Sequence, residues 1–374
     1  MTLGIIYYLQ VTKNSVTVSN YDPVYIGEGI LNKEKLPVNK ANQNYDMAFL
    51  YEEQSEYEKA SEYYILAVEE ARLDDELSPD DLTSMYTNYA SLLVAMGEFE
   101  DAIDILDYVS DAASYSTDNE NINAAVYHNL AYVYYKKGDY PTAVRLYSKA
   151  LDIRERILGT EHPDTAITSS GIALSYTKLG NYETALEIYE RVLLFQESTL
   201  GTEHPDTAAT YNNIAYVYAR QEAYEKAVDL YKKSLDIFEN VLGTEHQSTV
   251  IVYSNIAVVY SVLGEYVTAL ELCTKALDTR ENALGMEHPD TAITYNNIAC
   301  IEYKLGNYTS ALIYYNKASA IFEKKLGTEH LYTIRVNSGI AATHEAINGG
   351  SHAPLDDPYH TITPTSITPD TIID

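Results

Sequence analysis

The sequence repeats one eight-residue stretch at a constant interval, and this interval constrains the fold more than any other feature. The stretch Leu-Gly-Thr-Glu-His-Pro-Asp-Thr at residues 158–165 returns in close copies that begin at Leu200, Leu242, Leu284 and Leu326, each 42 residues after the last. A period of this length over five copies is typical of stacked supersecondary units that cannot bury their apolar faces alone. The chain of 374 residues is therefore predicted to form one elongated array rather than one very large compact core.

Two patterns within each period predict a pair of helices. The first is an aromatic residue followed three positions later by alanine, and it marks seven units: Tyr57/Ala60, Phe99/Ala102, Tyr140/Ala143, Tyr182/Ala185, Tyr224/Ala227, Tyr266/Ala269 and Tyr308/Ala311. The second is a Leu-Ala or Ile-Ala pair followed by Tyr, as in Leu130-Ala131 and Tyr134. Spacings of three and four place side chains on one helical face. Each unit is therefore predicted to be a helix A, a short turn and a helix B.

Glycine and proline punctuate these units where helices are expected to end and begin. Glycines fall between helix A and helix B at Gly97, Gly138, Gly180, Gly264 and Gly306, whereas Glu222 takes this place in one unit. The glycine of each linker is predicted to end helix B, because glycine adopts the left-handed conformation of a helix C-terminus. Pro163 then suits the first turn of the next helix A, and Asp164 complements the helix dipole there.

Units such as Tyr211-Asn-Asn-Ile-Ala-Tyr-Val-Tyr218, followed by Tyr224-Glu-Lys-Ala227 and Tyr231, resemble the tetratricopeptide repeat. The 42-residue period and the Leu-Gly-Thr-Glu-His-Pro linker resemble the longer variant of kinesin light chains and related adaptors. The resemblance covers about residues 44–347. It implies an all-α fold, a right-handed superhelical solenoid of helix-turn-helix repeats.

Three segments are expected along the chain. Residues 1–40 do not match the repeat and form a poorly specified N-terminal extension. Residues 41–348 hold seven repeats and a C-terminal capping helix, which such arrays need to cover their last apolar face. Residues 349–374 are rich in Pro, Thr and Asp, and are predicted to be a disordered tail because they contain too few apolar residues to pack.

The charge of the chain excludes several partners. A formal net charge of −30 and a pI near 4.5 argue against nucleic acid and anionic membranes, which repel such a field. A protein or peptide ligand is expected instead, neutral or basic overall. The two cysteines, Cys273 and Cys300, cannot form a disulfide framework, and the N-terminus lacks the basic region of a signal peptide. We therefore expect a cytoplasmic protein.

No chemistry-bearing motif stands out. The linker histidines His162, His204, His246, His288 and His330 each follow a Glu, but equivalent residues of stacked repeats lie about 8 to 10 Å apart. Metal ligands converge at about 2 Å. We expect these residues to help satisfy helix-end carbonyls, and we predict no metal, no cofactor, no catalytic residue and a non-enzymatic protein.

A recurring asparagine precedes the Leu-Ala or Ile-Ala pair of helix A, and we call this set the asparagine file. It comprises Asn88, Asn129, Asn213, Asn255 and Asn297, with Asn212 and Asn296 adjacent. Asparagine is a mediocre helix former, so its recurrence calls for a reason. The resemblance implies that helix A lines a concave groove and that this asparagine contacts bound peptide. A hydrogen bond tying helix A to its neighbours is the alternative. Gly171 and Gly339 interrupt the file, and the groove is expected to be locally bare there.

Cationic residues recur further along the same helices, at Lys136, Lys178, Arg220 and Lys304. They complement the C-terminal dipole of helix A, contact ligand, or do both. Most of the 37 tyrosines occupy packing positions of the repeat. Tyr132, Tyr135, Tyr216 and Tyr303 are expected on the groove face, where Tyr offers contact area at low entropy cost.

The sequence thus indicates an adaptor or scaffold that binds an extended peptide or a partner helix in its concave groove, as the resemblance to kinesin light chains implies. A kinesin heavy chain is a partner that the resemblance allows, although no heptad coiled coil precedes the repeats in this sequence. The alternative is an interaction or regulatory subunit of an enzyme complex unrelated to kinesin.

Overall fold

A computed structural model describes residues 40–54, 56–73, 79–113 and 120–349. Within these ranges the chain forms fifteen α-helices and no strand. The helices are α1 (Lys40–Glu53), α2 (Tyr57–Ala71), α3 (Pro79–Met96), α4 (Phe99–Ala113), α5 (Glu120–Lys137), α6 (Tyr140–Ile157), α7 (Pro163–Lys178), α8 (Tyr182–Thr199), α9 (Pro205–Arg220), α10 (Tyr224–Val241), α11 (Gln247–Leu263), α12 (Tyr266–Ala283), α13 (Pro289–Lys304), α14 (Tyr308–Leu326) and α15 (Leu331–Ile347). The expected N-terminal extension and C-terminal tail lie outside the described residues.

Each helix packs on the next one along the chain, so the predicted all-α solenoid is confirmed. Odd-numbered helices up to α13 are helices A, and the even-numbered helix that follows each one is its helix B. Helix α15 is the helix A of an eighth unit. The alanines of the Leu-Ala and Ile-Ala pairs are fully buried from α5 to α13.

The turns follow the predicted chemistry with one exception. The turn and linker glycines adopt positive φ, for example Gly159 at +91° and Gly180 at +79°. At the position of the turn glycine in the fifth unit, Glu222 adopts a φ of 61°. Left-handed backbone is strained for a residue with a Cβ.

The linker histidines cap the start of helices, so the expectation that they satisfy helix-end carbonyls is wrong. His162 precedes α7, and its Nδ1 accepts the backbone N–H of Asp164 at 3.2 Å. The same bond recurs at the other four linkers. These histidines therefore satisfy N–H groups at the start of helix A, not carbonyls at the end of helix B.

The two ends of the array come into contact. A Cβ built on Gly97, in the turn after α3, would have Cδ2 of His330 as its nearest neighbour at 3.9 Å. The Nζ of Lys325, at the end of α14, lies 6.0 Å from the ring centroid of Tyr57 in α2. The linker before α15 therefore lies against the first two repeats.

Candidate functional site

The helices A face the inner side of the array. Successive helices A contact one another along the chain, from α3 with α5 through α13 with α15, more closely than successive helices B do. An array in which one set of helices is closer together curves toward that set. The asparagine file, the lysines and the groove tyrosines all lie on these inner helices.

Buried hydrogen bonds join the asparagine file in its central part. Asn212, Asn213 and Asn255 are each at most 3% exposed. The Nδ2 of Asn255 in α11 donates to Oδ1 of Asn212 in α9 at 3.0 Å, and Nδ2 of Asn212 lies 3.3 Å from Oδ1 of Asn213. Side-chain amides thus tie helix A of one repeat to helix A of the next, which is the alternative role considered above.

The asparagines toward the two ends of the file differ from the central ones in burial and in hydrogen-bond partners. Asn296 and Asn297 in α13 are buried, and Nδ2 of Asn297 has no hydrogen-bond partner. A buried donor without a partner is costly, so Asn297 has hydrogen-bonding capacity to spare. Asn129 in α5 is half-buried. Asn88 in α3 is half-buried and donates from Nδ2 to the hydroxyl of Tyr45 in α1.

The expectation of a bare groove at Gly171 and Gly339 is wrong. A Cβ on Gly171 would lie 2.7 Å from the ring of Tyr147, and a Cβ on Gly339 would lie 2.7 Å from the ring of Tyr315. Both rings are buried. The glycines therefore make room for a tyrosine of the preceding helix B, which fills the space that a side chain at this position would take.

Lysine and tyrosine pair on the inner face of the third to fifth repeats. Lys178 donates from Nζ to the hydroxyl of Tyr216 at 2.7 Å and lies 5.1 Å from the ring centroid. Tyr216 is only 1% exposed, so the expectation that it offers contact area in the groove is wrong. Lys136 lies 5.3 Å from the ring centroid of Tyr132, and the charge of Tyr132 is the main cause of the raised pKa of Lys136. Such contacts hold an ammonium group over an aromatic face. We call these four residues the lysine–tyrosine strip.

The other predicted residues lie further along the inner helices. Arg220 and Lys304 close α9 and α13, where each complements the helix dipole. Lys304 is exposed, and Tyr303 beside it is buried with no partner for its hydroxyl. Tyr135 is half-buried, and burial raises its pKa.

Sequence reasoning missed a second recurring group, which joins helix A to the helices B on either side. The hydroxyl of Tyr211 donates to Glu197 of the preceding helix B, and Lys233 of the following helix B lies over its ring. The same arrangement recurs as Tyr253 with Glu239 and Lys275, and as Tyr295 with Glu281 and Lys317. Burial, followed by the bond to Glu197, raises the pKa of Tyr211. The signal was available, because each glutamate lies 14 residues before its tyrosine in three successive units.

A buried polar cluster occurs only in part of the array and was also missed. Arg154 donates from Nη1 to the hydroxyl of Thr168 at 2.5 Å and to the carbonyl of Asp164 at 2.9 Å. Nδ1 of His128 lies 3.4 Å from the same Thr168 hydroxyl. Burial, and secondarily the charge of Arg154, lowers the pKa of His128 to about 3. His128 is therefore neutral at pH 7.

The described ranges contain no group of three or more His, Cys, Asp and Glu side chains that could hold a metal ion. None of the helices in the described part of the chain is both long and apolar enough to span a membrane.

Sequence comparison identifies the repeat. A tetratricopeptide repeat family model matches residues 123–193, 164–240 and 248–324, and a second such model matches residues 87–156. Together these matches cover more than half of the chain. A search among curated proteins found no match.

Solved structures share the fold at low sequence identity. A tetratricopeptide repeat protein from Parabacteroides merdae is 14% identical over 82% of this chain and 99% of its own, with a TM-score of 0.52. A Rap protein in complex with competence and sporulation factor is 14% identical over 84% of this chain and 99% of its own, with a TM-score of 0.50. A kinesin light chain-like protein from Podosopora anserina, with nearly identical TPR-like repeats, is 27% identical over 53% of this chain and 93% of its own, with a TM-score of 0.44.

Proposed function

We propose, starting from the fact that this chain belongs to the tetratricopeptide repeat family, that it is a non-enzymatic cytoplasmic adaptor which binds a partner protein along its inner face. The bound element is an extended peptide or a helix of the partner. Repeat arrays with the fold of this family present long concave surfaces on which such a ligand can bind. The Rap structure is a complex with competence and sporulation factor, so an array of this fold can hold a ligand.

The observation that carries the proposal is the lysine–tyrosine strip on adjacent inner helices. Tyr132 and Lys136 belong to α5, Lys178 to α7 and Tyr216 to α9, so the strip runs across three repeats. Tyr216 is buried and anchors Lys178. An extended ligand crossing these repeats would therefore meet the half-buried ring of Tyr132 and the ammonium groups of Lys136 and Lys178. Such groups offer contact area together with charge-assisted hydrogen bonds.

The asparagine file extends the same surface. In this proposal the Asn212–Asn255 bond sets the spacing of α9 and α11, and the half-buried Asn129 of α5 offers its carboxamide to the ligand backbone in the third repeat. A carboxamide donates and accepts, so it can bind a peptide backbone without reading its side chains. The ligand protein is neutral or basic overall, because a chain of net charge −30 repels acidic partners.

We further infer that this adaptor is kinesin light chain-like, because of the 42-residue period and the Leu-Gly-Thr-Glu-His-Pro linker. Co-purification with a kinesin heavy chain tests it directly. Co-purification with a kinase, phosphatase or protease and no kinesin would favour the role of an interaction subunit in an enzyme complex.

The inner face itself is tested by a matched pair of variants. The first carries Lys136→Gln and Lys178→Gln in the strip. The second carries Lys226→Gln and Lys232→Gln, two exposed lysines of α10, and has the same net charge. Quantitative proximity labelling should show that the strip variant loses partners which the α10 variant keeps. If the two variants label the same partners at the same level, the binding surface lies elsewhere.

A further inference from the structure

The last helix, α15, exposes residues at positions that earlier helices A bury. Ala341 is exposed, whereas the equivalent alanines of five earlier repeats are fully buried: Ala131, Ala173, Ala215, Ala257 and Ala299. Ile334 is 48% exposed, whereas the equivalent Ala166, Ala208, Val250 and Ala292 are at most 6% exposed. Ser338 is exposed, whereas His128, Ser170, Asn212, Ser254 and Asn296 at its position are buried.

These exposed residues form one continuous stripe. Ile334, Ser338, Ala341 and Glu345 follow at intervals of four, three and four residues, which places them on one side of a helix. We call this set the terminal stripe. Helix α15 packs on α14 and α13, as earlier helices A pack on the units before them. The terminal stripe is therefore the side that the following helices of a longer array would cover, as α11 covers Asn212 in α9.

Within the described residues, which end at residue 349, no helix B follows α15. Helices B of the earlier repeats run for 15 to 19 residues, as in α4 and α14. The sequence after α15 has prolines at positions 354, 358, 364 and 369, and a proline in a helix interior removes a hydrogen bond and clashes with the preceding turn. The intervals between these four prolines are each shorter than a helix B.

We propose that the terminal stripe binds the terminal stripe of a second copy of this chain, with the two α15 helices antiparallel and crossing at Ser338. In such a two-fold pair, residues at equal distance on either side of the crossing lie opposite each other. Ile334 then lies opposite Ala342, and Arg335 opposite Ala341, so each large side chain meets a small one. Ser338 meets itself, and its small size lets the two backbones approach closely.

Charge supports the antiparallel direction. Arg335 is half-buried and Glu345 is exposed, and they lie toward opposite ends of α15. In the antiparallel pair, Arg335 of one copy lies within one helical turn of the position facing Glu345 of the other. A parallel pair would place Arg335 beside Arg335 and Glu345 beside Glu345, which is repulsive.

The small area of this helix pair limits the affinity of the dimer. Helix α15 has 17 residues and is about 25 Å long. Two such helices form a small interface below the roughly 1,200 Å² of a standard stable complex. Each copy also carries a net charge of −30, which opposes association. The dimer is therefore expected to be weak and to assemble at micromolar concentration.

Sedimentation equilibrium of the full chain, from about 1 to about 100 µM, tests the proposal. The chain should pass from monomer to dimer over this range. Ile334→Glu should weaken the dimer by at least about tenfold. The control is Leu194→Glu, which changes an apolar residue of α8 that is 70% exposed and should leave the dimer intact. A chain that stays monomeric at every concentration overturns the proposal, and so does a dimer that Ile334→Glu leaves intact.

If Ile334→Glu fails to fold, variants that exchange the charges of Arg335 and Glu345 test the antiparallel pair instead. Arg335→Glu and Glu345→Arg should each weaken the dimer, because each replaces an opposite-charge contact by a like-charge one. The double variant Arg335→Glu/Glu345→Arg should restore it. Circular dichroism would confirm that all three variants fold. Failure of the double variant to recover association relative to the single variants contradicts the antiparallel pair.

Discussion

The ring of Tyr147 in α6 lies directly against Gly171 in α7, where a Cβ would come within 2.7 Å of Tyr147 Cε1. The relationship recurs between Tyr315 and Gly339. Both glycines lie inside helices A, where glycine is normally unfavourable. Glycine occupies these positions because the tyrosine of the preceding repeat packs onto the backbone of the helix. The low helix propensity of glycine therefore accompanies a tertiary contact that a larger residue would block.

Gly171→Ala should therefore destabilise the protein, although helix propensity alone predicts a gain of about 1 kcal/mol. The added methyl must displace a buried ring, and overpacking of this kind costs about 1 to 3 kcal/mol. The measurement is the urea midpoint followed by circular dichroism. Gly339→Ala should behave in the same way through Tyr315. A higher midpoint for Gly171→Ala would show that the ring moves aside freely.

Glu222→Gly should stabilise the protein by about 1 kcal/mol, because it relieves the left-handed backbone of the α9–α10 turn. The reciprocal control is Gly180→Glu, at the equivalent turn, where φ is +79° and a Cβ would meet no neighbouring atom within 4 Å. That variant should lose a similar amount, since strain rather than a clash is introduced. Melting temperatures that move in the same direction for both variants would contradict the strain at Glu222.

His128 should make the protein less stable in mild acid. Its pKa falls from an ordinary 6.5 to about 3 in the folded protein. Between these two pH values the His128 side chain is protonated in the unfolded chain and neutral in the folded chain. The contribution of His128 to stability is fully present above about pH 6.5 and is lost as the pH falls toward 3. At pH 5 the loss amounts to about 2 kcal/mol relative to pH 7.5.

The variant that isolates this effect is His128→Asn, because Asn212 and Asn296 occupy the equivalent positions of other repeats. The difference in unfolding free energy between variant and wild type should shift by about 2 kcal/mol in favour of the variant between pH 7.5 and pH 5. His246→Asn, which changes an exposed linker histidine, serves as the control. An identical pH dependence of His128→Asn and wild type would mean that His128 is protonated in the folded protein.

Asn255→Ala should lower the unfolding free energy by about 1 kcal/mol, since it removes the hydrogen bond to Asn212. Asn129→Ala changes the equivalent residue of α5, which is half-buried. It should be neutral or slightly stabilising, because alanine is the better helix former. Urea unfolding of the two variants distinguishes a tie between helices from a side chain whose role is to bind ligand. Equal losses would show that both asparagines are structural.

The local pattern of the sequence is enough to predict most of the helices. The Tyr/Ala spacing, the turn glycines and the linker prolines determine where helices begin and end, because capping and backbone conformation depend on neighbours a few residues away. The same reasoning located the helix A residues of the candidate site, since a fixed period places equivalent side chains on equivalent faces. It could not show the exposure of any of them.

Which residues of other helices and repeats a side chain contacts was decided by the tertiary structure alone. The sequence shows Gly171 as a gap in the asparagine file, but the ring that fills the gap comes from Tyr147, 24 residues earlier and on another helix. It shows His330 as a fifth copy of a linker residue, whereas its place beside Gly97 depends on the summed rotation of the repeats between them. Periodicity determines which face of each helix is apolar. Contacts between distant repeats arise only when the small rotations of all the helices are added together in space.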